Sequence, residues 1–450
     1  MVGRTVAAAA LSVAAFAGSV VAQAKGKATR ENHCPADSPC AGLYGDCGIG
    51  AFCLGGCDIT MSHSIEACVP NPICKKGDYK MNPMDDIQDI GKYLGDNSKT
   101  NWQAQGKPIK YKEEGLLLTM SEDSSGTLLA STFYVWYGKM CASMTSSQGK
   151  GVVTAFIMMS DVKDEIDFEW IGTDINTVQS NYYSQGVTDY TNTKNLTVSG
   201  GTLDFHDYCI DWSPEELKWE IDGKEVRSVK KSETWNSTAN HFDYPQTPSR
   251  IMISLWPAGK AGNAKGTVDW AGGEIDWNSP YMTNGFYNAG IRDVTVECYD
   301  PPSGAKKGGS KSYKYTDAKS PTNNTIELSD DFVILGSLEG TGEDPGEPSK
   351  TESSSKSTNT ALQVPGGIIG GGARQEAPTG AAGSSAGGSG GSSGSGASGD
   401  GNVVGGSDFT QGLKGPEENK SLGVSIEPGL GKMGGSGLAI VVAILGLIAL

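Results

Sequence analysis

Basic residues are in short supply. Lysine and arginine number 36 against 52 aspartates and glutamates, a formal net charge of −16 over 450 residues. Such a chain has no electrostatic footprint for a phosphate backbone, which excludes nucleic acid as a partner. There are only four histidines, and no cluster of them with cysteine or carboxylate has metal-ligand spacing. Neither a metal nor any other cofactor is called for. Long helical periodicity is also missing. Between Tyr79 and Asp300 the apolar residues come in short or alternating runs, separated by turn signals.

Those runs predict strands at Gly151 to Met159, Asp164 to Trp170, Arg250 to Trp256 and Val294 to Tyr299. Leu217 to Ile221 and Glu225 to Val229 flank Asp222-Gly223, a strong hairpin signal. The expected fold class is all-β, a sandwich.

The most informative stretch is Asp164-Glu165-Ile166-Asp167-Phe168-Glu169-Trp170. Carboxylates recur at every second position, so in a strand Glu165, Asp167 and Glu169 share one face. Ile166, Phe168 and Trp170 pack the other. A solvated strand would interleave cations, because like charges side by side are unfavourable. Paired carboxylates flanking a glycosidic bond are the usual apparatus of glycoside chemistry. Glu165 and Glu169 have the reach to lean together over Asp167, which reads as an electrostatic tuner.

Glu-Ile-Asp-Phe-Glu resembles the Glu-x-Asp-x-Glu signature of glycoside hydrolase family 16. With Asp161 to Trp170 and the following Gln179-Ser-Asn181-Tyr182, it resembles the fungal Crh type. The resemblance spans roughly Cys34 to Asp300. It implies a β-jelly roll and a retaining double displacement, with Glu165 as nucleophile and Glu169 as general acid/base. It also implies transfer of chitin to β-1,3- or β-1,6-glucan. An ordinary secreted β-glucanase or chitinase, or a non-catalytic glycan-binding wall protein, are the alternatives. The motif Trp256-Pro-Ala-Gly with Gly266-Thr267-Val-Asp-Trp270 implies donor subsites near the acid/base. Trp256 is the expected platform, joined by Met252 and Thr267, with Gln179 and Tyr182 on the other side and Glu169 itself in contact. Trp212, Trp219 and Trp277 are expected in the core.

Seven of the ten cysteines fall between Cys34 and Cys74. So dense a segment reads as a small disulfide scaffold over 34–74, ahead of a catalytic domain over 79–300. Cys40 to Cys53 resembles family 18 chitin-binding modules, with Tyr44 and Phe52 as aromatic candidates. The usual Cys-Cys pair is Cys40-Ala41 here and the usual Ser is Gly42. The segment is therefore read either as a chitin-binding module or as a structural cap. The expected bridging cysteines are Cys34, Cys40, Cys47, Cys53, Cys57, Cys68, Cys74, Cys209 and Cys298. Cys209 is expected to pair with Cys298, and Cys141 with the odd cysteine of the module.

The ends carry targeting signals. Arg4 and the apolar stretch Val6 to Val21 predict a signal peptide over 1–22. A Ser/Gly/Thr-rich stretch over 303–425 reads as a disordered stalk. The apolar tail from Leu438 to Leu450, within a 426–450 propeptide, reads as a GPI signal with Gly423 as a candidate anchor. Asn195, Asn236, Asn323 and Asn419 open Asn-x-Ser/Thr sequons. These features predict a monomer at the cell surface, held to the membrane by lipid and acting on chitin and β-glucan.

Overall fold

A computed structural model describes residues 27–82, 84–112 and 114–347. Two eight-stranded sheets dominate it. The first runs in the order Lys194–Thr197, Thr177–Tyr183, Glu165–Ile171, Val152–Ser160, Ser249–Pro257, Thr127–Val135, Trp102–Gln105 and Ile87–Asp89. The second runs Lys224–Lys230, Glu216–Ile221, His206–Trp212, Gly138–Met144, Tyr287–Cys298, Gly115–Met120 and Ile109–Tyr111, with Gly77–Lys80 also on Tyr287–Cys298. This is the expected jelly-roll sandwich. Asp222 and Gly223 take the left-handed conformation (φ 51° and 74°) that a tight two-residue hairpin demands.

The core lies between the sheets. Phe168 and Trp170 from the first sheet meet Tyr208 of the second, edge to face, at 5.5 and 4.6 Å. Trp212 and Trp219 are fully buried as expected, and Trp277 is partly buried against Tyr287. Val152–Ser160 is buried along its whole length. Its outward-facing Ala155, Ile157 and Met159 join an apolar cluster with Leu128, Ala130, Met252 and Leu43. The outer face of this sheet is therefore covered too, and Leu43 of the Cys-rich segment covers it.

Three disulfides close that segment locally: Cys34–Cys47, Cys40–Cys53 and Cys57–Cys68. The other two correct the sequence reading. Cys74 bridges to Cys298, and Cys141 to Cys209. Cys141 and Cys209 are direct register partners on neighbouring strands, 4.0 Å apart at Cα. Cys209 and Cys298 have the Gly138–Met144 strand between their own. Two strand spacings, roughly 9.5 Å, exceed the roughly 7 Å a disulfide spans.

The first part of the expected 303–425 stalk is folded instead. Lys306–Lys307, Ser312–Tyr315 and Ile326–Ser329 join Asn71–Pro72 of the Cys-rich segment in a four-stranded sheet. Alternating Tyr313, Tyr315, Ile326 and Leu328 bury their side chains there. Scattered among Lys, Ser and Gly, they do not stand out by composition. The predicted signal peptide, the stalk beyond residue 347, Asn419, Gly423 and the apolar tail lie outside the described residues.

Candidate active site

The Glu165–Ile171 strand is anchored at its entry. Asp164 accepts hydrogen bonds from the backbone N–H groups of Gln185 (2.9 Å), Gln246 (2.8 Å) and Thr247 (3.0 Å), and from the Thr247 hydroxyl (2.7 Å). One buried carboxylate thus ties two separate loops to the strand. Register then sets the face. Glu165 lies opposite Met159 and Tyr183, Asp167 opposite Ile157 and Asn181, and Glu169 opposite Ala155 and Gln179. Residues paired across strands share a face. The three carboxylates therefore form one surface with Gln179, Asn181 and Tyr183. From beneath, Trp219 donates its indole N–H to the Asp167 carbonyl at 2.9 Å, and Arg227 stacks 4.3 Å over the Trp219 ring.

All three carboxylates are buried, at 6%, 0% and 4% exposure for Glu165, Asp167 and Glu169. Burial lifts each above the ordinary carboxylate range. The Asp167 charge adds to this at Glu165, and the charges of Asp167 and Glu165 add to it at Glu169. At Asp167 the Arg227 guanidinium and the Asn181 backbone N–H oppose the rise. Glu165 Oε1 and Glu169 Oε1 are buried without a hydrogen-bond partner. Two glutamates held this way keep their protons to higher pH than exposed carboxylates do, which suits one that must donate a proton.

A wall flanks the Glu169 end. Trp256 and Trp270 stack at 6.2 Å, and the Trp270 indole N–H donates to Gln179 Oε1 at 2.9 Å. Trp256 is enclosed at 3% exposure, so the half-buried Trp270 carries the more accessible ring. Met252 lies in the apolar cluster with Leu43. Thr267 is buried on the Lys265–Trp270 helix.

Two expected contacts are corrected. Tyr182 pairs with Ile166, not with a carboxylate. Its ring points into the sandwich, 6.4 Å from Trp219 with Arg227 over it at 5.7 Å. Phe52 is 6% exposed and belongs to the main core, so it offers sugar no face. Tyr44, by contrast, is 37% exposed. Of the sequons, Asn195 is exposed, while Asn236 and Asn323 are half-buried. The residues missed were Asn181, Tyr183 and Trp270. The first two share Gln179's parity along their strand, and Trp270 closes the motif that pointed to Trp256.

The glycosyl hydrolases family 16 profile matches residues 96–272, a span that contains all three carboxylates. Crh-like protein 3 of Botryotinia fuckeliana is 49% identical over 313 residues, covering 69% of this chain and 70% of that protein. Crh-like protein 2 of Aspergillus fumigatus is 47% identical over 353 residues, covering 77% and 79%. The chain belongs to the Crh-like proteins of glycosyl hydrolase family 16. It is thus an enzyme of glycoside chemistry with a cell-wall setting. Among solved structures, Crh5 transglycosylase in complex with NAG is similar at 26% identity and a TM-score of 0.47, covering 58% of this chain and 95% of that one.

Proposed function

We propose that the Crh-like chain is a retaining transglycosylase that cleaves chitin and transfers it to β-1,3- or β-1,6-glucan, with Glu165 as nucleophile and Glu169 as general acid/base. In the first half, a Glu165 oxygen bonds to the anomeric carbon as the glycosidic C–O bond breaks. Glu169 gives its proton to the departing oxygen. In the second half, Glu169 takes the proton of an acceptor hydroxyl, whose oxygen displaces Glu165. Two inversions leave the anomeric configuration retained. Asp167 keeps Glu169 protonated until it is needed. Gln179, Trp256 and Thr267 are the proposed glycan contacts, with Asn181, Tyr183 and Trp270 added, whereas the expected contact Met252 is covered by Leu43. Asn195, Asn236 and Asn323 are proposed N-glycan sites. A signal peptide and a GPI lipid at Gly423 would hold a monomer at the cell surface.

The observation that carries this reading is the face shared by Glu165, Asp167 and Glu169. All three are buried, and each glutamate has an unpartnered oxygen. The test incubates the full chain with a chitin oligomer donor and a fluorescent laminari-oligosaccharide acceptor. Labelled products of higher mass, absent with Glu165→Gln and Glu169→Gln, are expected. Shortened chitin alone would mean a hydrolase. Equal behaviour of wild type and Glu165→Gln would mean a binding protein.

A further inference from the structure

The Cys-rich segment faces the carboxylates. Cys40–Ala41 and Cys47–Gly48 form a small antiparallel hairpin, and Leu43 and Tyr44 sit at its tip. Two disulfides grip the hairpin, one from each strand: Cys40–Cys53 and Cys34–Cys47. The turn closes through the Gly45 N–H donating to the Gly42 carbonyl at 2.8 Å. Gly45 has φ 82°, and a Cβ there would meet the Ala28 carbonyl oxygen at 2.3 Å. Lys27 clamps the same turn, donating to the Tyr44 carbonyl at 3.2 Å and to Asp46 at 3.0 Å. The tip is therefore rigid.

Its docking is equally fixed. Leu43, 3% exposed, seats on Leu128, Ala130, Ala155, Ile157, Met159 and Met252, the outer face of the three strands next to Glu165–Ile171. The Gly56 N–H donates to Asp161 Oδ1 at 2.9 Å and to the Tyr134 hydroxyl at 3.2 Å. Buried Asp58 pairs with Lys163 at 3.1 Å, two residues before Glu165. Cys74–Cys298 ties the end of the segment to the second sheet. An independent chitin-binding module on a tether would need none of these contacts. Nor is an all-aliphatic floor a surface for sugar hydroxyls; it is complementary to Leu43.

Tyr44 stands beside Leu43 and keeps a third of its surface open. The Ala155, Ile157 and Met159 side chains under Leu43 are the cross-strand partners of Glu169, Asp167 and Glu165, and burial with the charges of Glu165 and Glu169 raises the Tyr44 hydroxyl. We propose that the hairpin tip is a built-in wall of the catalytic cleft: Leu43 closes the sheet face on the Thr127–Val135 side, and Tyr44 contacts the sugar held at the Glu165/Glu169 pair. The Cys-rich segment then sets how the substrate lies at the reacting bond, instead of gathering chitin elsewhere. Glycan is left the Thr177–Tyr183 side, where Gln179, Asn181 and Tyr183 face out.

This inference rests on the transglycosylase reading, and one experiment separates the two. Transfer kinetics are measured on the full chain carrying Tyr44→Ala, Tyr44→Phe or Glu165→Gln, with thermal unfolding recorded for each. Tyr44→Ala should raise KM for the chitin oligomer about three- to tenfold, the range for one lost aromatic contact. Its kcat and Tm should change less. Tyr44→Phe, which keeps the ring, should restore most of the KM. Tyr44→Ala kinetics equal to wild type would overturn the proposal. So would faster transfer by Tyr44→Ala, which would make the tip a plug. If Glu165→Gln remains active, the transglycosylase reading itself has failed.

Discussion

Asp167→Asn tests the electrostatics of the carboxylate face most directly. Residues two apart on a strand are about 6.7 Å apart, from a rise of roughly 3.3–3.4 Å each. At that distance and an effective dielectric of ~20, one unit charge acts on another with about 2.5 kcal/mol. That corresponds to ~1.8 pH units at about 1.36 kcal/mol per unit. Asp167 sits between Glu165 and Glu169 and raises both. Removing its charge lowers both, so Glu169 loses its proton at a lower pH. Asp167 is itself raised to about 7, so its charge acts on the alkaline side, and the alkaline limb of kcat/KM against pH should move toward acid by up to about 2 units. The limbs report the coupled group as a whole, not single residues. The assay is a pH–rate profile at fixed acceptor, with Tm checked at each pH. An alkaline limb that stays in place, or moves to higher pH, would refute the reasoning.

Three further outcomes are expected. Asp164→Ala leaves three backbone N–H groups and the Thr247 hydroxyl without their acceptor; it should cost about 3 kcal/mol or more of stability, read by chemical denaturation. Cys74→Ser with Cys298→Ser opens a link across 224 residues; the chain-entropy relation gives about 5 kcal/mol, again read by denaturation against wild type. The raised carboxylates, Asp161 to about 6 and Asp167 to about 7, bind more protons in the folded chain than in the unfolded one. Their contribution to stability is full below the unfolded value of about 4 and is lost as pH rises through that window. Tm should therefore be higher at pH 5 than at pH 8, and Asp161→Asn should flatten the difference.

The carboxylate face was legible because the two-residue strand period needs no partner to be seen. Tyr182 shows where that reading stopped. Residues 179 and 182 differ by three, so one regular strand cannot turn both to the same side. Only the pairing of Gln179 with Glu169 fixes which parity faces the cleft. The cysteine pairings required the strand order, a property of contacts distant in sequence. Tyr44 stood out as an aromatic in a Cys-rich segment, but the seating of its neighbour Leu43 on the sheet depends on docking that no local pattern encodes. A hint existed in Ala155 to Met159, where five successive apolar residues mark a strand buried on both faces.

The Cys74–Cys298 bridge also sets an order of events for a chain that emerges N-terminus first. Six cysteines of the Cys-rich segment find partners within 13 residues. Cys74 does not. Its partner emerges 224 residues later, and the strands that pair directly or indirectly with Asn71–Pro72 emerge later still, from residue 306 onward. Throughout that interval the Cys74 thiol waits beside three pairs that can close early, joined by the Cys141 thiol until Cys209 emerges, and free thiols next to disulfides are what thiol–disulfide exchange requires. The N-terminal segment is thus completed by a cysteine and by strands that emerge more than 200 residues after it.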